Sequence, residues 1–248
     1  MRIALCISGQ ARNSTSGYAG IKKHIIDFNT NKGHSIDTYI HTWKTDAVDI
    51  GLPCTKSFET KLESHNTLLS LYNPESWMVE QQLKFDSSKH FVPVYLGGSE
   101  DGRACFNHQS MFYSILACNN LKTTRERIEN FKYDLVIRIR PDCRVLYDVD
   151  LISIDTNFIY HRGDTPPKNV DSRVPNYPGK MNDHFAICNS KNMDIYSDCY
   201  NRLDELIRSG VPANPEFLLG IWIDRNNIER RIIKFNELNH AINSAIIR

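Results

Sequence analysis

Three short polar motifs in this chain follow apolar runs and carry residue types that can do chemistry. The first is Ser8-Gly9-Gln10-Ala11-Arg12. Glycine lets a ligand approach the backbone closely, and arginine can grip a phosphate through two N–H groups at once. The motif matches neither the GxGxxG nor the Walker pattern. It therefore predicts a contact with an anionic ligand, and a plain polar turn is the competing interpretation.

The other two motifs offer an aromatic ring and a carboxylate. Thr42 and Trp43 end the run IDTYIHTW, and a tryptophan there could stack on a base or a sugar, or simply fill the core. Arg140-Pro141-Asp142 ends the run YDLVIRIRPD. Asp142 is of the type that holds a hard divalent cation, which prefers carboxylate oxygens and keeps waters and substrate phosphates as its other ligands. The competing interpretation is a turn aspartate, or an ion pair with Arg138 or Arg140.

The apolar runs before these motifs predict strands at 2–8, 36–43 and 134–139. Their order with helices between them indicates an α/β fold, a mostly parallel sheet flanked by helices, in a single domain over 1–248. In such sheets ligands bind outside the carboxyl ends of the strands, so the three motifs are expected at one edge. The other predicted elements are helices at 17–29, 57–72, 104–128, 190–209 (N-cap Ser190) and 215–226, strands at 76–80, 91–96, 157–161, 184–189 and 231–235, and a long loop at 162–183.

Charge and cysteine usage exclude several classes. The formal net charge is +1, from 30 Lys and Arg against 29 Asp and Glu, which gives no global field for nucleic acid. The first apolar run is too short for a secretory signal, and no run approaches the roughly 20 apolar residues of a membrane span. Seven scattered cysteines without a CxxC pair indicate a reduced, intracellular protein.

Taken in order, five segments resemble GT-A-type glycosyltransferases of polysaccharide synthesis, as found in bacterial capsule and O-antigen clusters and in some large viruses. The segments are ISGQAR, DTYIHTW, NHQSMFYSILACNNL, YDLVIRIRPD and DHFAICNSKNMDIY, and they span roughly residues 1–225. The resemblance implies a Rossmann-like half that binds a nucleotide sugar, assigned to 1–143, and an acceptor-binding half, assigned to 144–248. It also implies a glycan or lipid-linked oligosaccharide as acceptor, in the cytoplasm or at the inner membrane surface.

The resemblance assigns roles to individual residues. The donor nucleotide would contact Ser8, Gly9, Gln10, Arg12, Thr42 and Trp43. Asp142 would match the last acid of the GT-A DxD motif and would bind Mn²⁺ or Mg²⁺. The first acid of that motif is replaced by Arg140, which can itself neutralise a diphosphate, so the metal is in doubt.

A general base is needed if the transfer inverts the anomeric centre. Two acids are candidates, Asp183 before the 184–189 strand and Glu216 at the start of a helix. Asp183 is preferred because matching segments of the family carry an acid there. Arg103, before the long helix, is a further candidate contact for phosphate or acceptor.

Two other functions compete with the transferase. A sulfotransferase would use the Ser8–Arg12 motif as its phosphate-binding turn. A non-catalytic subunit that binds a sugar nucleotide or a glycan would explain the altered acidic motif. A glycoside hydrolase would use paired carboxylates but needs no nucleotide-binding turn.

Overall fold

The computed structural model describes residues 1–45, 62–85, 103–162 and 180–233, with only the backbone described at 103–106. The strands are β1 (Arg2–Ser8), β2 (Ser35–Trp43), β3 (Ser76–Glu80), β4 (Leu135–Ile139), β5 (Ile159–His161), β6 (Phe185–Cys188) and β7 (Arg230–Ile232). The helices are α1 (Ser14–Ile21), continued by a π-helical stretch (Lys22–Asp27) and α2 (Phe28–Thr30), then α3 (His65–Tyr72), α4 (Arg103–Ile128), α5 (Ser190–Arg208) and α6 (Pro215–Arg225). A 3₁₀ turn lies at Leu151–Ser153.

The strands form one seven-stranded sheet in the order β3-β2-β1-β4-β6-β5-β7. The first four of these are mutually parallel. Strand β6 then runs antiparallel to both β4 and β5, and β7 is parallel to β5. The predicted α/β fold with a mostly parallel sheet flanked by helices is therefore confirmed, and the chain direction reverses at β6.

Both faces of the sheet are covered, which explains why its central strands read as continuous apolar runs. On one face, Cys6 and Val136 pack with Phe112 of α4 and with residues of α5 and α6. On the other face, Leu5 and Ile137 pack with residues of α1 and α3. Within the described residues, no helix combines the length and the apolar character needed to cross a bilayer.

Three predicted elements differ from the structure. The helix predicted at 57–72 begins at His65, and Ser64 is its N-cap, so the described residues 62–64 are not helical. The helix predicted at 17–29 begins earlier, at Ser14, and contains the π-helical stretch. Ser190 was the wrong N-cap: the cap of α5 is Asn189, whose side chain accepts from the Asn192 N–H, while the Ser190 hydroxyl binds Lys122 and Glu126. Since the Ser190 hydroxyl serves a buried ion pair, the preceding asparagine caps the helix.

Several predictions fall wholly or partly on residues outside the described ranges. These are the strand at 91–96, most of the loop at 162–183, the first residues of the helix at 57–72 and the end of the strand at 231–235. The remaining predicted strands and helices are confirmed, with ends that shift by one or two residues.

Candidate functional site

The candidate site lies where β1 and β4 end and β6 begins. The register pairs Ile7 with Ile139, and Ile139 with Phe185. Because β6 is antiparallel to β4, the residues just before β6 reach the same edge as the residues just after β1 and β4. The Arg140 N–H donates to the His184 carbonyl across this edge (3.3 Å).

Two glycines let the loops of this edge come close together. Gly9 has φ +129°, a conformation that side chains other than hydrogen rarely allow, and its N–H donates to the His41 carbonyl (3.2 Å). A Cβ on Gly17 of α1 would overlap the Pro141 carbonyl. Helix α1 therefore packs directly on the loop that carries Asp142.

Asp142 is the centre of the site, and two arginines hold it. Its Oδ1 accepts from Arg140 Nε (2.9 Å), and its Oδ2 accepts from Arg140 Nη2 (2.7 Å) and from Arg12 Nε (3.0 Å). The Asp142 side chain is only 2% exposed. Burial alone would raise the pKa of Asp142, but Arg140 and Arg12 outweigh it and hold that pKa well below its usual range. The carboxylate is therefore ionised at neutral pH.

Arg138 joins this site from inside the sheet. It is 1% exposed, its Nε donates to Ser8 Oγ (3.2 Å), and its Nη1 donates to the Asp183 carbonyl. A buried guanidinium is costly unless its N–H groups are paired. Arg138 therefore ties the end of β1 to the segment that enters β6.

Asp183 and His184 complete the site. His184 Nε2 lies 3.4 Å from Asp183 Oδ1, and His184 Nδ1 is buried with no hydrogen-bond partner among the described residues. Burial lowers the pKa of His184 to about 4, against the opposing effect of Asp183. Burial would raise the pKa of Asp183, but His184, Arg140 and Arg138 lower it below its ordinary value. At neutral pH the imidazole is therefore neutral and the carboxylate ionised.

These residues are called the edge cluster below: Ser8, Arg12, Arg138, Arg140, Asp142, Asp183 and His184. Three guanidinium groups and two carboxylates, with a neutral imidazole, give a formal charge of 3 − 2 = +1. Counted over these seven residues, a surplus of positive charge at the carboxyl ends of strands is suited to an anion.

Residues 62 and 63 pack against the start of α1 and hold the backbone around Arg12 in place. Leu62 forms an antiparallel bridge with Arg12, and the Glu63 N–H donates to the Ala11 carbonyl (2.8 Å). The Glu63 carboxylate accepts from Ser14 Oγ (2.5 Å) and from the Thr15 N–H (2.8 Å). The first N–H groups of α1, which could bind a phosphate, thus already face a carboxylate of the chain itself.

The donor set of Asp142 does not suit a divalent cation as it stands. Both of its oxygens accept from guanidinium groups, and the described residues contain no group of three or more His, Cys, Asp or Glu placed to share a metal ion. A cation would have to displace Arg12 or Arg140. The Mn²⁺ or Mg²⁺ implied by the resemblance stays a prediction.

Thr42 and Trp43 lie at the end of β2, the strand that pairs directly with β1, and both are buried. The Trp43 ring is 1% exposed and stacks on Tyr113 with centroids 5.6 Å apart, while His41 meets it edge-on at 4.9 Å. Trp43 therefore fills the core, which is one of the two alternatives that the sequence left open. Stacking on a base would require Trp43 to leave these contacts.

The remaining predicted site residues are not members of the edge cluster, although the Gln10 carbonyl accepts from the Arg12 N–H (2.9 Å). Gln10 is half-buried between Gly9 and Arg12. Glu216 is the second residue of α6 and forms an ion pair with Lys180 (2.6 Å), and its carbonyl accepts from the Met181 N–H (3.0 Å). It therefore anchors the segment that leads to Asp183. Arg103 is the first residue of α4, and its side chain is outside the described part.

Sequence reasoning left two members of the edge cluster out of the predicted site. The sequence analysis considered Arg138 only as a partner for Asp142. A charged residue inside the apolar run LVIRI is itself a signal, because a buried charge must be paired. His184 follows Asp183 directly, but nothing in its spacing marks it as a site residue. Its place depends on the direction of β6.

No protein-family model matches the chain, and no curated protein matches it either. The resemblance to GT-A glycosyltransferases therefore rests on the five segments of the chain itself.

Proposed function

We propose that the protein is a glycosyltransferase that takes a sugar from a nucleotide-sugar donor and passes it to a glycan or lipid-linked oligosaccharide in surface polysaccharide synthesis. The observation that carries this proposal is the surplus positive charge of the edge cluster, where Arg12 and Arg140 sit beside the glycine turn after β1. Guanidinium groups suit diphosphate oxygens because they donate in pairs from a rigid plane.

In this proposal the arginines act on the leaving group. The acceptor hydroxyl oxygen bonds to the anomeric carbon, the bond from that carbon to the diphosphate oxygen breaks, and the nucleoside diphosphate leaves with its added negative charge. Arg12 and Arg140 stabilise that charge as it forms, which is the type of interaction that lowers a barrier most effectively. Arg138 keeps the Asp183 segment in place through its buried hydrogen bonds.

Asp183 receives the proton of the acceptor hydroxyl in an inverting reaction. Its carboxylate is ionised and lies in the same cluster as the arginines. Its lowered pKa makes it a weak base, so the proton must move as the new C–O bond forms rather than before. Glu216 is assigned the lesser role of holding Lys180 and the backbone of Met181.

Thermal unfolding with a panel of ligands tests this proposal. We expect one of UDP, GDP, ADP or CMP to raise the melting temperature, because a ligand that binds only the folded state stabilises it by about 2.7 kcal/mol at one hundred times its dissociation constant. For a chain of this size that corresponds to a rise of about 5–10 °C. As a control, Arg202→Lys on α5, whose guanidinium pairs with Asp198 on the surface, should leave the rise unchanged.

The same panel separates the competing functions. A rise with adenosine 3′,5′-bisphosphate alone would favour a sulfotransferase. A rise with a nucleotide sugar that is never turned over, with any acceptor tried, would favour a binding subunit. The absence of a rise with every nucleotide would remove the transferase proposal.

A further inference from the structure

The geometry around Asp142 points to a role that differs from metal binding. We propose that Asp142 is a positioning residue that holds Arg12 and Arg140 in place, and that the edge cluster binds a diphosphate without a divalent cation. This inference rests on the proposed function, because it concerns the same diphosphate.

The first argument is the state of the Asp142 oxygens. Arg140 approaches with two N–H groups, one to each oxygen (2.9 and 2.7 Å), and Arg12 adds a third hydrogen bond to Oδ2 (3.0 Å). Two nearly parallel hydrogen bonds from one guanidinium to one carboxylate form the strongest and most directional ion pair available to side chains. A cation that bound Asp142 would have to break this pair.

The second argument is charge. A divalent cation at Asp142 would lie against the guanidinium groups of Arg140 and Arg12. Like charges this close repel strongly where water is excluded, and the Asp142 side chain is 2% exposed. Asp183, the other carboxylate of the edge cluster, faces His184. The described residues therefore offer a cation one fully engaged carboxylate, against the several oxygen ligands it needs.

The third argument is what Asp142 does for the arginines. Arg140 uses Nε and Nη2 on Asp142, so three of its five N–H groups have no hydrogen-bond partner among the described residues. A guanidinium fixed on one edge by a carboxylate offers its other edge in a set orientation, at little further loss of conformational freedom. In this arrangement the guanidinium groups supply the charge that a metal supplies in a DxD site.

Titration calorimetry with UDP, GDP, ADP and inorganic pyrophosphate, each in EDTA and each in excess Mg²⁺ or Mn²⁺, tests the cation requirement. We expect at least one nucleoside diphosphate to bind in EDTA, with a dissociation constant that changes by less than about threefold when the cation is added. Binding that appears only with the cation, or that tightens about tenfold or more with it, would overturn the inference while the proposed function stood. Absence of binding under both conditions would overturn both.

Asp142→Asn tests the positioning role. An amide cannot accept from both arginines as the carboxylate does, so the dissociation constant of the nucleotide should rise about tenfold in EDTA and to the same degree with the cation. Asp198→Asn, which neutralises a surface partner of Arg202, is the matched control and should change nothing. A lower melting temperature with an unchanged dissociation constant would show that Asp142 is merely structural.

Arg140→Lys covers the case in which Asp142→Asn does not fold. Lysine keeps the charge but loses the planar fork, so the same weakening is expected in EDTA. An unchanged dissociation constant in Arg140→Lys would also contradict the proposal.

Discussion

Two largely buried clusters of charged side chains can be compared within the described residues, and they differ in whether their charges balance. The second joins α4 to the start of α5 and is called the helix cluster: Lys122, Glu126, Lys132, Ser190 and Asp194. Lys122 Nζ binds Ser190 Oγ (2.7 Å) and Asp194 Oδ1 (2.8 Å), and the Glu126 carboxylate accepts from Ser190 Oγ (2.5 Å) and Lys132 Nζ (2.8 Å).

The two clusters differ in charge balance. The helix cluster has two ammonium groups and two carboxylates, 2 − 2 = 0, and the Lys122 and Glu126 side chains are fully buried. Burial would raise the pKa of Glu126, but hydrogen bonds from Lys132 and Ser190 lower it. The edge cluster has a formal charge of +1 over its seven named residues, and its buried His184 Nδ1 has no hydrogen-bond partner in the described part of the chain. A network whose charges and hydrogen bonds are all paired stabilises the fold. A network with an excess charge and a nitrogen without a hydrogen bond can still accept a ligand.

The largest expected effect comes from breaking the helix cluster. Lys122→Met removes a buried charge that Glu126 and Asp194 face, and loss of one partner of a buried pair costs about 3–5 kcal/mol. Glu126 keeps its contacts with Lys132 and with the Tyr133 N–H. We therefore expect the free energy of unfolding in urea to fall by an amount at the lower end of this range, about 3 kcal/mol.

Lys132→Met is the matched control for that variant. Lys132 binds the same Glu126 carboxylate, but its side chain is 65% exposed, so its loss should cost under about 1 kcal/mol. Nucleotide binding should be intact in both variants. A Lys122→Met protein that keeps its stability but loses nucleotide binding would reverse the comparison between the two clusters.

The sequence was most informative where burial is continuous. Strands β1 and β4 are covered on both faces, so their apolar runs are uninterrupted and their ends are marked by the first polar residues. The α4 helix was equally clear because apolar residues recur at helical spacing from Met111 to Leu121. These elements place Ser8, Arg12 and Asp142 at one edge, and this part of the candidate site could be predicted without coordinates.

The direction of β6 could not be predicted in the same way. Periodicity identifies a strand but does not say which way it runs, and only its pairing with β4 shows that it is antiparallel. If β6 were parallel, Asp183 and His184 would lie at the opposite edge of the sheet. The Ser190 prediction was wrong for a related reason, because its hydroxyl is used by Lys122 and Glu126, which are more than sixty residues away in sequence.

The pH dependence of stability should be the next largest effect. The edge cluster contributes to it through His184, beside the contribution of His41, whose pKa is also lowered by burial. Burial lowers the pKa of His184 to about 4, below the usual value near 6.5 of an unfolded chain. The unfolded state therefore takes up a proton as the pH falls below about 6.5 while the folded state does not, and stability decreases until the pH reaches about 4. The contribution of His184 should be about 3 kcal/mol over this range.

His184→Gln should flatten the dependence between pH 6.5 and pH 4, measured as the free energy of unfolding in urea at each pH. His24→Gln is the control, since His24 is not a member of the edge cluster and pairs with Asp148 instead (2.8 Å). The test is the slope of the free energy of unfolding against pH and not its absolute value, because the substitution also changes packing. An equally steep slope in His184→Gln would show that His184 does not titrate between these limits.

The smallest effect tests whether Arg12 acts on the ligand or only on Asp142. Arg12→Lys keeps the charge and the ion pair with Asp142 but loses the planar fork that can grip two phosphate oxygens. We expect the dissociation constant of the nucleotide to rise about tenfold, which corresponds to about 1.4 kcal/mol. The melting temperature without ligand should change little, because a partly exposed pair contributes less than about 1 kcal/mol. Arg202→Lys on α5 should leave nucleotide affinity unchanged. If Arg12→Lys behaved like that control, the surplus charge of the edge cluster would serve Asp142 alone, and the distinction from the balanced helix cluster would lose its functional meaning.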